Sequence, residues 1–303
     1  MPSPPDELGA TDTHESHDSG ADSGAGALFV VATPIGNLED FSARALTTLA
    51  TVDFIVAEDT RHTGRMLARL GIKAQLRALH EHNETRIAPE LAGAIAAGQR
   101  IALVSDAGTP LISDPGFALV DAVLARGARV IPIPGPCAMT AALSVCGLAT
   151  DRFAFEGFLP ARRQARLARL EMLGYETRTV VLYEAPHRIA AMLADCVVAL
   201  GAERQITVAK ELTKIHEQVF RGSSADALVW LESDPARVRG EFVVAITGAA
   251  AAAPPRADWH ADLKILLEEL PPARAARVLA KMSGVARKTI YEHALHLAHE
   301  TGE

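Results

Sequence analysis

The sequence predicts an α/β protein with a mostly parallel first sheet, a mixed second sheet and a small helical unit at the end. Two changes of rhythm predict it. From residue 28, short runs rich in Val and Ile alternate with longer stretches of helical period, the order of a parallel sheet covered by helices on both faces. After Gly147, strand-like runs outnumber helical ones, which points to a mixed sheet in a second α/β domain.

The elements follow in order. Strands are expected at 28–32, 53–57, 101–104 and 130–133, and helices near 38–50, 63–70, 85–97, 116–126 and 138–146. In the second half, strands are expected at 153–158, 179–183, 206–210, 218–221 and 242–247, with helices at 163–173 and 188–200. The domains then divide as a leader at 1–27, α/β domains at 28–148 and 149–250, a Pro/Ala-rich linker at 251–258 and a helical domain at 259–303. Within the last, helices at 272–282 and 286–298 flank Ser283-Gly284-Val285, with Val278, Leu279, Met282, Ile290 and Leu297 packing the pair together. Arg274, Arg277, Lys281, Arg287 and Lys288 stand there without an acidic residue from Pro271 to Tyr291, which suits a helix-turn-helix-like contact with RNA or the ribosome.

Composition narrows the field. No apolar run reaches the ~18 residues of a membrane span, and the start has neither the basic residue nor the apolar stretch of a signal peptide. A cytoplasmic location is expected. The net charge of −7 is misleading about partners, because −6 of it lies in the acidic leader (Asp6, Glu7, Asp12, Glu15, Asp18, Asp22) and the remainder is near neutral. That leader is expected to be disordered. Cys137, Cys146 and Cys196 form no Cys-x-x-Cys pair, so neither a zinc site nor a disulfide framework is indicated. His80 and His82 lack an evident third ligand, and no metal is expected.

Chemistry is carried by the loops after the strands, because ligands of an open parallel sheet bind beyond its carboxyl edge. Those loops read Thr33-Pro34-Ile35-Gly36-Asn37, Glu58-Asp59-Thr60-Arg61-His62, Ser105-Asp106-Ala107-Gly108-Thr109-Pro110 with Ile112-Ser113-Asp114-Pro115-Gly116 after it, and Pro134-Gly135-Pro136-Cys137-Ala138-Met139-Thr140. There is no Gly-x-Gly-x-x-Gly and no phosphate-binding P-loop, so dinucleotide-binding and NTPase sites are unsupported. Pro-rich loops offer carbonyls and shape rather than N–H donors, and suit a ligand bound by edges and apolar faces.

As a set, the stretches ATPIGNLEDFSARA (32–45), AEDTRHTGRML (57–67), HEHNE (80–84), SDAGTPLISDPG (105–116), PIPGPCAMTAAL (132–143), YEAPHRI (183–189), AKELTKIHE (209–217) and GEFV (240–243) resemble the tetrapyrrole methylase superfamily, the class III methyltransferases. Within it they are most similar to the branch that 2′-O-methylates a decoding-centre cytidine of 16S rRNA. The resemblance spans about residues 28 to 250, and the helical tail also fits it; the leader lies outside. It implies a two-domain fold holding S-adenosylmethionine in the cleft between domains, with 16S rRNA in the 30S subunit as substrate and a homodimer as the assembly. It places the cofactor along Pro34, Asp106, Ala107, Gly108, Thr109, Cys137, Ala138, Met139, Leu182 and Ala209, with Asp106 accepting hydrogen bonds from its amino or hydroxyl groups. Cys137 departs from the Ser common at this position in the superfamily.

A ribose 2′-hydroxyl is a weak acid, so its attack on a methyl group benefits from a general base. Glu58, Asp59, Glu81, His82 and Glu211 are the candidates, and Lys210 or Arg61 is placed to lower the acceptor pKa or hold a phosphate. Arg61, His187 and Arg188 are expected on an RNA-facing rim. Two alternatives keep part of this picture: a methylase of small porphyrinoids, and a non-catalytic RNA-binding assembly factor.

Overall fold

The computed structural model describes residues 26–250, 259–283 and 285–300. The expected leader (but for its last two residues) and linker lie outside them. The first sheet has the order β3-β2-β4-β1-β5, with β1 Ala27–Val31, β2 Phe54–Ala57, β3 Leu76–Ala78, β4 Arg100–Val104 and β5 Arg129–Ile133, and its ladders are all parallel. Helices α1 Ala43–Thr51, α2 Thr60–Arg69, α3 Glu84–Ala96, α4 Phe117–Leu124 and α5 Ala138–Val145 follow the five strands in turn. Both faces of this sheet are buried: Phe29, Ile55 and Ala102 pack toward Leu49 and Leu67, while Leu28, Phe54 and Leu103 pack toward Ile95 and Leu119. Parallel strands buried on two faces read as continuous apolar runs, as these do.

The second sheet has the order β6-β7-β10-β8-β9, formed by β6 Phe153–Phe158, β7 Thr179–Glu184, β8 Gln205–Lys210, β9 Gln218–Ser223 and β10 Phe242–Ile246. Only β6 and β7 pair in parallel; the other ladders are antiparallel. One face is covered by α6 Arg163–Leu173, α7 Ile189–Leu200 and α8 Ser224–Glu232, around Leu182, Val208 and Val244. The other face presents Val181, Ala209 and Val243 to Ile35 and Ala142 of the first half. A shared apolar layer therefore joins the two halves and forms the floor of a cleft. Burying such a layer removes water from the seam, the dominant driving force for holding the halves together.

Three elements depart from the expected strands and helices. The helix expected near 38–50 is a 3-10 turn at Leu38–Asp40 followed by α1, which begins only at Ala43 because Ser42, in extended backbone, caps it by accepting the Ala45 amide. Strand β3 is a three-residue edge whose Arg77 and Ala78 are exposed, so no apolar alternation marks it. Helix α8 begins directly where β9 ends, and is announced only by a capping box in which Ser223 and Asp226 bond each other's backbone amides.

The helical unit holds three helices among the described residues, α9 Trp259–Glu269, α10 Pro272–Ser283 and α11 Arg287–Glu300, rather than a pair. Its core is Leu263, Ala275, Ala276, Leu279, Ile290 and Ala294, with Val278, Val285 and Leu297 partly buried. Met282, expected in that packing, is exposed: alanines let the helices approach closely, and the narrow seam leaves Met282 outside. Among the described residues no helix is long and apolar enough to cross a membrane.

Candidate active site

At the carboxyl edge of the first sheet the loops are bonded to one another. The amide of Thr33 donates to the Gly108 carbonyl at 2.8 Å and that of Gly108 returns to Thr33 at 3.0 Å. The buried Thr33 hydroxyl donates to the Ser105 carbonyl at 3.3 Å. Thr109 Oγ1 donates to the Pro136 carbonyl at 3.0 Å, and the Asp59 amide donates to Asp106 Oδ1 at 3.1 Å. The four loops are thus one stitched rim. Gly108 holds φ +83°, open to glycine, and a Cβ there would press on Ile35 Cγ2 at 3.3 Å.

Between this rim and the second sheet lies a cavity of about 370 Å³. Ile35, Ala107, Gly108, Thr109, Cys137 and Ala138 line it from the first half, and Tyr183, Ala209, Leu212 and Val243 from the second. Asp114 stands in its wall. A second cavity of about 620 Å³ adjoins it, lined by Pro34, Asp106, Leu38 and residues of α2, and shares Ile35, Ala107, Lys214 and Glu241 with the first. Mostly apolar walls with few polar groups are the usual make-up of a small-molecule site.

Backbone strain gathers at the same place. Among the described residues the non-glycines with positive φ are Leu111, Ser113, Glu211 and Thr213, at 51° to 71°. All four sit in two loops, one after β4 and one after β8, that meet across the cleft. Conformations of this kind persist where the surroundings over-determine them, often at ligand sites.

The carboxylates differ in environment. Burial, then the nearby charge of Glu58, pushes Asp114 up from 3.8 to about 6; a hydrogen bond with Ser105 opposes the shift. Glu58 is also raised, by burial and then by Asp106. Asp59 goes the other way: it caps α2, accepting the amides of Arg61 and His62, and those bonds hold its pKa down. For Glu211, burial opposes ionisation, but bonds from Lys214 and from the Glu241 amide prevail and hold the carboxyl low. Lys214 Nζ reaches Glu211 at 2.8 Å and Glu241 at 2.9 Å, while its stem lies where a Cβ on Gly36 would stand. This lysine ties the loop after β8 to the loop after β1.

Of the ten residues that the resemblance places on the cofactor, Ala107, Gly108, Thr109, Cys137, Ala138 and Ala209 line the first cavity, and Pro34 and Asp106 the second. Met139 lies beside them, its amide donating to the Tyr183 hydroxyl at 3.1 Å. Leu182 turns its side chain into the helix-covered core, away from the cleft. Among the proposed bases, Glu58 is half-buried near Asp106 and Asp114. Glu81 and His82 are exposed in the turn before α3. Lys210 is buried at the end of β8. His187 is exposed and Arg61 is 89% exposed, whereas Arg188 is engaged by Glu184 at 3.0 Å and by the Leu159 carbonyl. The five basic residues of the helical unit are all exposed. No cluster able to hold a metal occurs among the described residues.

Two further residues of the cleft are not marked out by the sequence. Asp114 sits in the stretch SDAGTPLISDPG and Lys214 in AKELTKIHE, but neither spacing nor residue type singles them out. Only their burial and partners do.

Comparisons with known proteins agree with this fold. Residues 27–228 match the family described as Tetrapyrrole (Corrin/Porphyrin) Methylases, and residues 253–298 match the RsmI C-terminal HTH domain. The chain is 50% identical to ribosomal RNA small subunit methyltransferase I of Xylella fastidiosa, over 88% of this chain and 98% of the relative. It is 46% identical to the protein of the same name from Escherichia coli O157:H7, over 91% and 96%. A cobalamin biosynthetic enzyme, cobalt precorrin-4 methyltransferase, shares the fold with a TM-score of 0.55 at 13% identity, over 73% of this chain and 94% of that one. The chain belongs to the ribosomal RNA small subunit methyltransferase I family, a branch of the tetrapyrrole methylases.

Proposed function

We propose that this enzyme transfers the methyl group of S-adenosylmethionine to the ribose 2′-hydroxyl of a single cytidine of 16S rRNA, cytidine 1402, in the 30S subunit. The observation that carries the reading is 50% identity over 88% of the chain to a small-subunit rRNA methyltransferase, joined to an apolar interdomain cavity with Asp114 in its wall. The residues present fit the cofactor. A sulfonium is a cation with apolar substituents, and the cavity pairs apolar walls with Asp106, Asp114 and Glu58 nearby. When bound, the cofactor supplies an activated methyl group.

The chain supplies alignment and proton handling. Ile35, Gly108, Ala138 and Ala209 provide close apolar contact, Asp106 accepts polar hydrogens, and Leu182 has only its main chain to offer. Holding donor and acceptor in line is the larger part of catalysis in such a displacement. Asp114 takes the 2′-hydroxyl proton: with a pKa near 6 it is ionised at neutral pH yet basic enough to accept one. Glu58 stands next to it as the second carboxylate. Asp59 and Glu211 serve instead as a helix cap and a clamp. Arg61 and the basic residues Arg274, Arg277, Lys281, Arg287 and Lys288 contact RNA phosphates. Residues 28–148 and 149–250 then form the two halves of the methylase and 259–303 an RNA-contact unit, in a cytoplasmic homodimer.

The test is to incubate the purified protein with labelled S-adenosylmethionine and 30S subunits lacking their native methylations, and to map the label by nucleotide. Label on one cytidine 2′-oxygen is the expected outcome. Labelling of neither 30S nor naked 16S rRNA, despite cofactor binding, would overturn the RNA assignment and favour a small-molecule acceptor.

A further inference from the structure

The second cavity is bordered by a helix of unusual charge. Helix α2, Thr60–Arg69, reads TRHTGRMLAR and contains no acidic residue. It buries Thr63, Met66 and Leu67 in the core, which leaves Arg61, Arg65 and Arg69 outward at helical i, i+4, i+8 spacing. Successive members of this row stand ~6 Å apart along the axis. An ordinary solvent-facing helix mixes both signs of charge, and a row of one sign is selected against unless something negative offsets it.

Little on the protein offsets it. Arg61 meets Asp59 at 3.5 Å with both side chains substantially exposed, a weak surface pair. His62, Arg65 and Arg69 have no ion-pair partner among the described residues, yet all three line the second cavity. Its carboxylates are Asp106, which is bonded to the Asp59 amide, and Glu241, which is bonded to Lys214. The cations therefore face a space of about 620 Å³ that opens onto the first cavity through Ile35, Ala107, Lys214 and Glu241.

We infer that the α2 side of this second cavity guides the RNA strand, the acceptor ribose reaching across the shared wall toward Asp114 in the first cavity, and that Arg65 and Arg69, with Arg61 at the outer end of the row, hold successive phosphates of that strand. The inference deepens the proposed function and rests on it. A row of cations suits a polyanionic strand better than one small carboxylate, because each charge along the row gains a partner only if the ligand is itself a chain. His62 and Met66, beside the row, offer an imidazole and an apolar edge to the base or sugar. The shared wall between the two cavities is then where donor and acceptor meet.

The test uses the full-length R65E/R69E variant, with R65A/R69A as the milder form should charge reversal disturb folding, and R126E as a control. Arg126 is exposed in the turn after α4, outside either cavity. Three quantities are read: KM for unmethylated 30S subunits, the salt dependence of RNA binding, and S-adenosylmethionine affinity by calorimetry. The expected result is a KM raised at least tenfold and a log–log salt slope flatter by about 1.4, since each of the two lost single-strand phosphate contacts removes roughly 0.7. Cofactor affinity, which also reports correct folding, stays unchanged, and R126E behaves as wild type.

An unaltered KM and slope in a wild-type enzyme that does methylate RNA would overturn this assignment while sparing the proposed function. A wild-type protein that binds cofactor but neither binds nor methylates RNA overturns both. Methylation of a carboxylated tetrapyrrole, with the arginine variants raising its KM instead, would give the row to a small anion and also overturn the inference.

Discussion

The carboxylates of the two halves lead different lives. In the second half Asp195, Glu156, Glu176, Glu184, Glu211 and Glu241 each meet an arginine or a lysine. At the edge of the first sheet Glu58, Asp106 and Asp114 face one another instead; burial pushes Glu58 and Asp114 up, as it does Glu184, but in the first sheet the neighbouring carboxylates add to the rise, whereas Arg188 opposes it at Glu184. Paired carboxylates brace a scaffold; unpaired ones gathered at a cavity are costly to the fold and are retained where chemistry needs them. The cleft is built by pressing a working edge against a braced frame.

The largest way to break the frame is at Asp195. It is buried between Arg163 at 2.9 Å and Arg166 at 2.7 Å, tying α6 to α7. Asp195→Ala leaves the buried Arg166 uncompensated, with an expected loss of about 3–5 kcal/mol in denaturant unfolding. Replacing a paired acid in this half is thus expected to cost stability first and activity only as a consequence.

The working edge is expected to behave in the opposite way. Asp114→Asn lowers kcat about 100-fold if the group accepts the 2′-hydroxyl proton, with cofactor affinity little changed. The wild-type rate rises with pH through about 6 and then levels, as the carboxylate form is the active one. Stability runs against it. The folded state holds this proton more tightly than the unfolded chain, so the contribution of Asp114 is fully present below 3.8 and lost as pH rises through about 6. Asp114→Asn therefore raises Tm at pH 8 and leaves it nearly unchanged at pH 3.5. A variant that lost both rate and stability at pH 8 would place Asp114 in the frame instead.

Two smaller effects sharpen the boundary between the halves. Gly240, at φ +94°, leaves no room for a Cβ, which would lie 2.5 Å from Glu211 Cγ and Cδ. Gly240→Ala displaces Glu211 from Lys214 and is expected to cost about 1–3 kcal/mol, read from the denaturant midpoint. Tyr183→Phe removes the acceptor of the Met139 amide and, at about 1 kcal/mol, weakens cofactor binding up to about fivefold by calorimetry.

Much of the first half is legible in the sequence. Its central strands β1, β2 and β4 are buried on both faces and stand out as apolar runs, the edge strand β5 is legible by its Val and Ile though partly exposed, and a parallel sheet must deliver every loop that follows a strand to the same edge. The second half is less so. Strand β7 is buried on both faces, and apolar alternation therefore does not tell Val181 and Tyr183, on the cleft side, from Leu182, on the core side. In the helical unit, Met282 fits the helical period but not the seam, because small alanines already close it. The basic residues there are legible, since a long charged side chain without a partner keeps its head in water, and all five are exposed.

By itself, then, the sequence determined the fold class, the loops that meet at one sheet edge and the family, because periodicity and the succession of strands and helices along the chain are local properties that a linear text retains. The tertiary structure alone decided which acid is basic and which is braced. Asp114 owes its raised pKa to burial, to Glu58 brought to it from the end of β2, and to Asp106 of its own loop, and Glu211 its low one to Lys214 and the Glu241 amide. A pKa depends on distance in space and on exclusion of water, and neither is written along the chain.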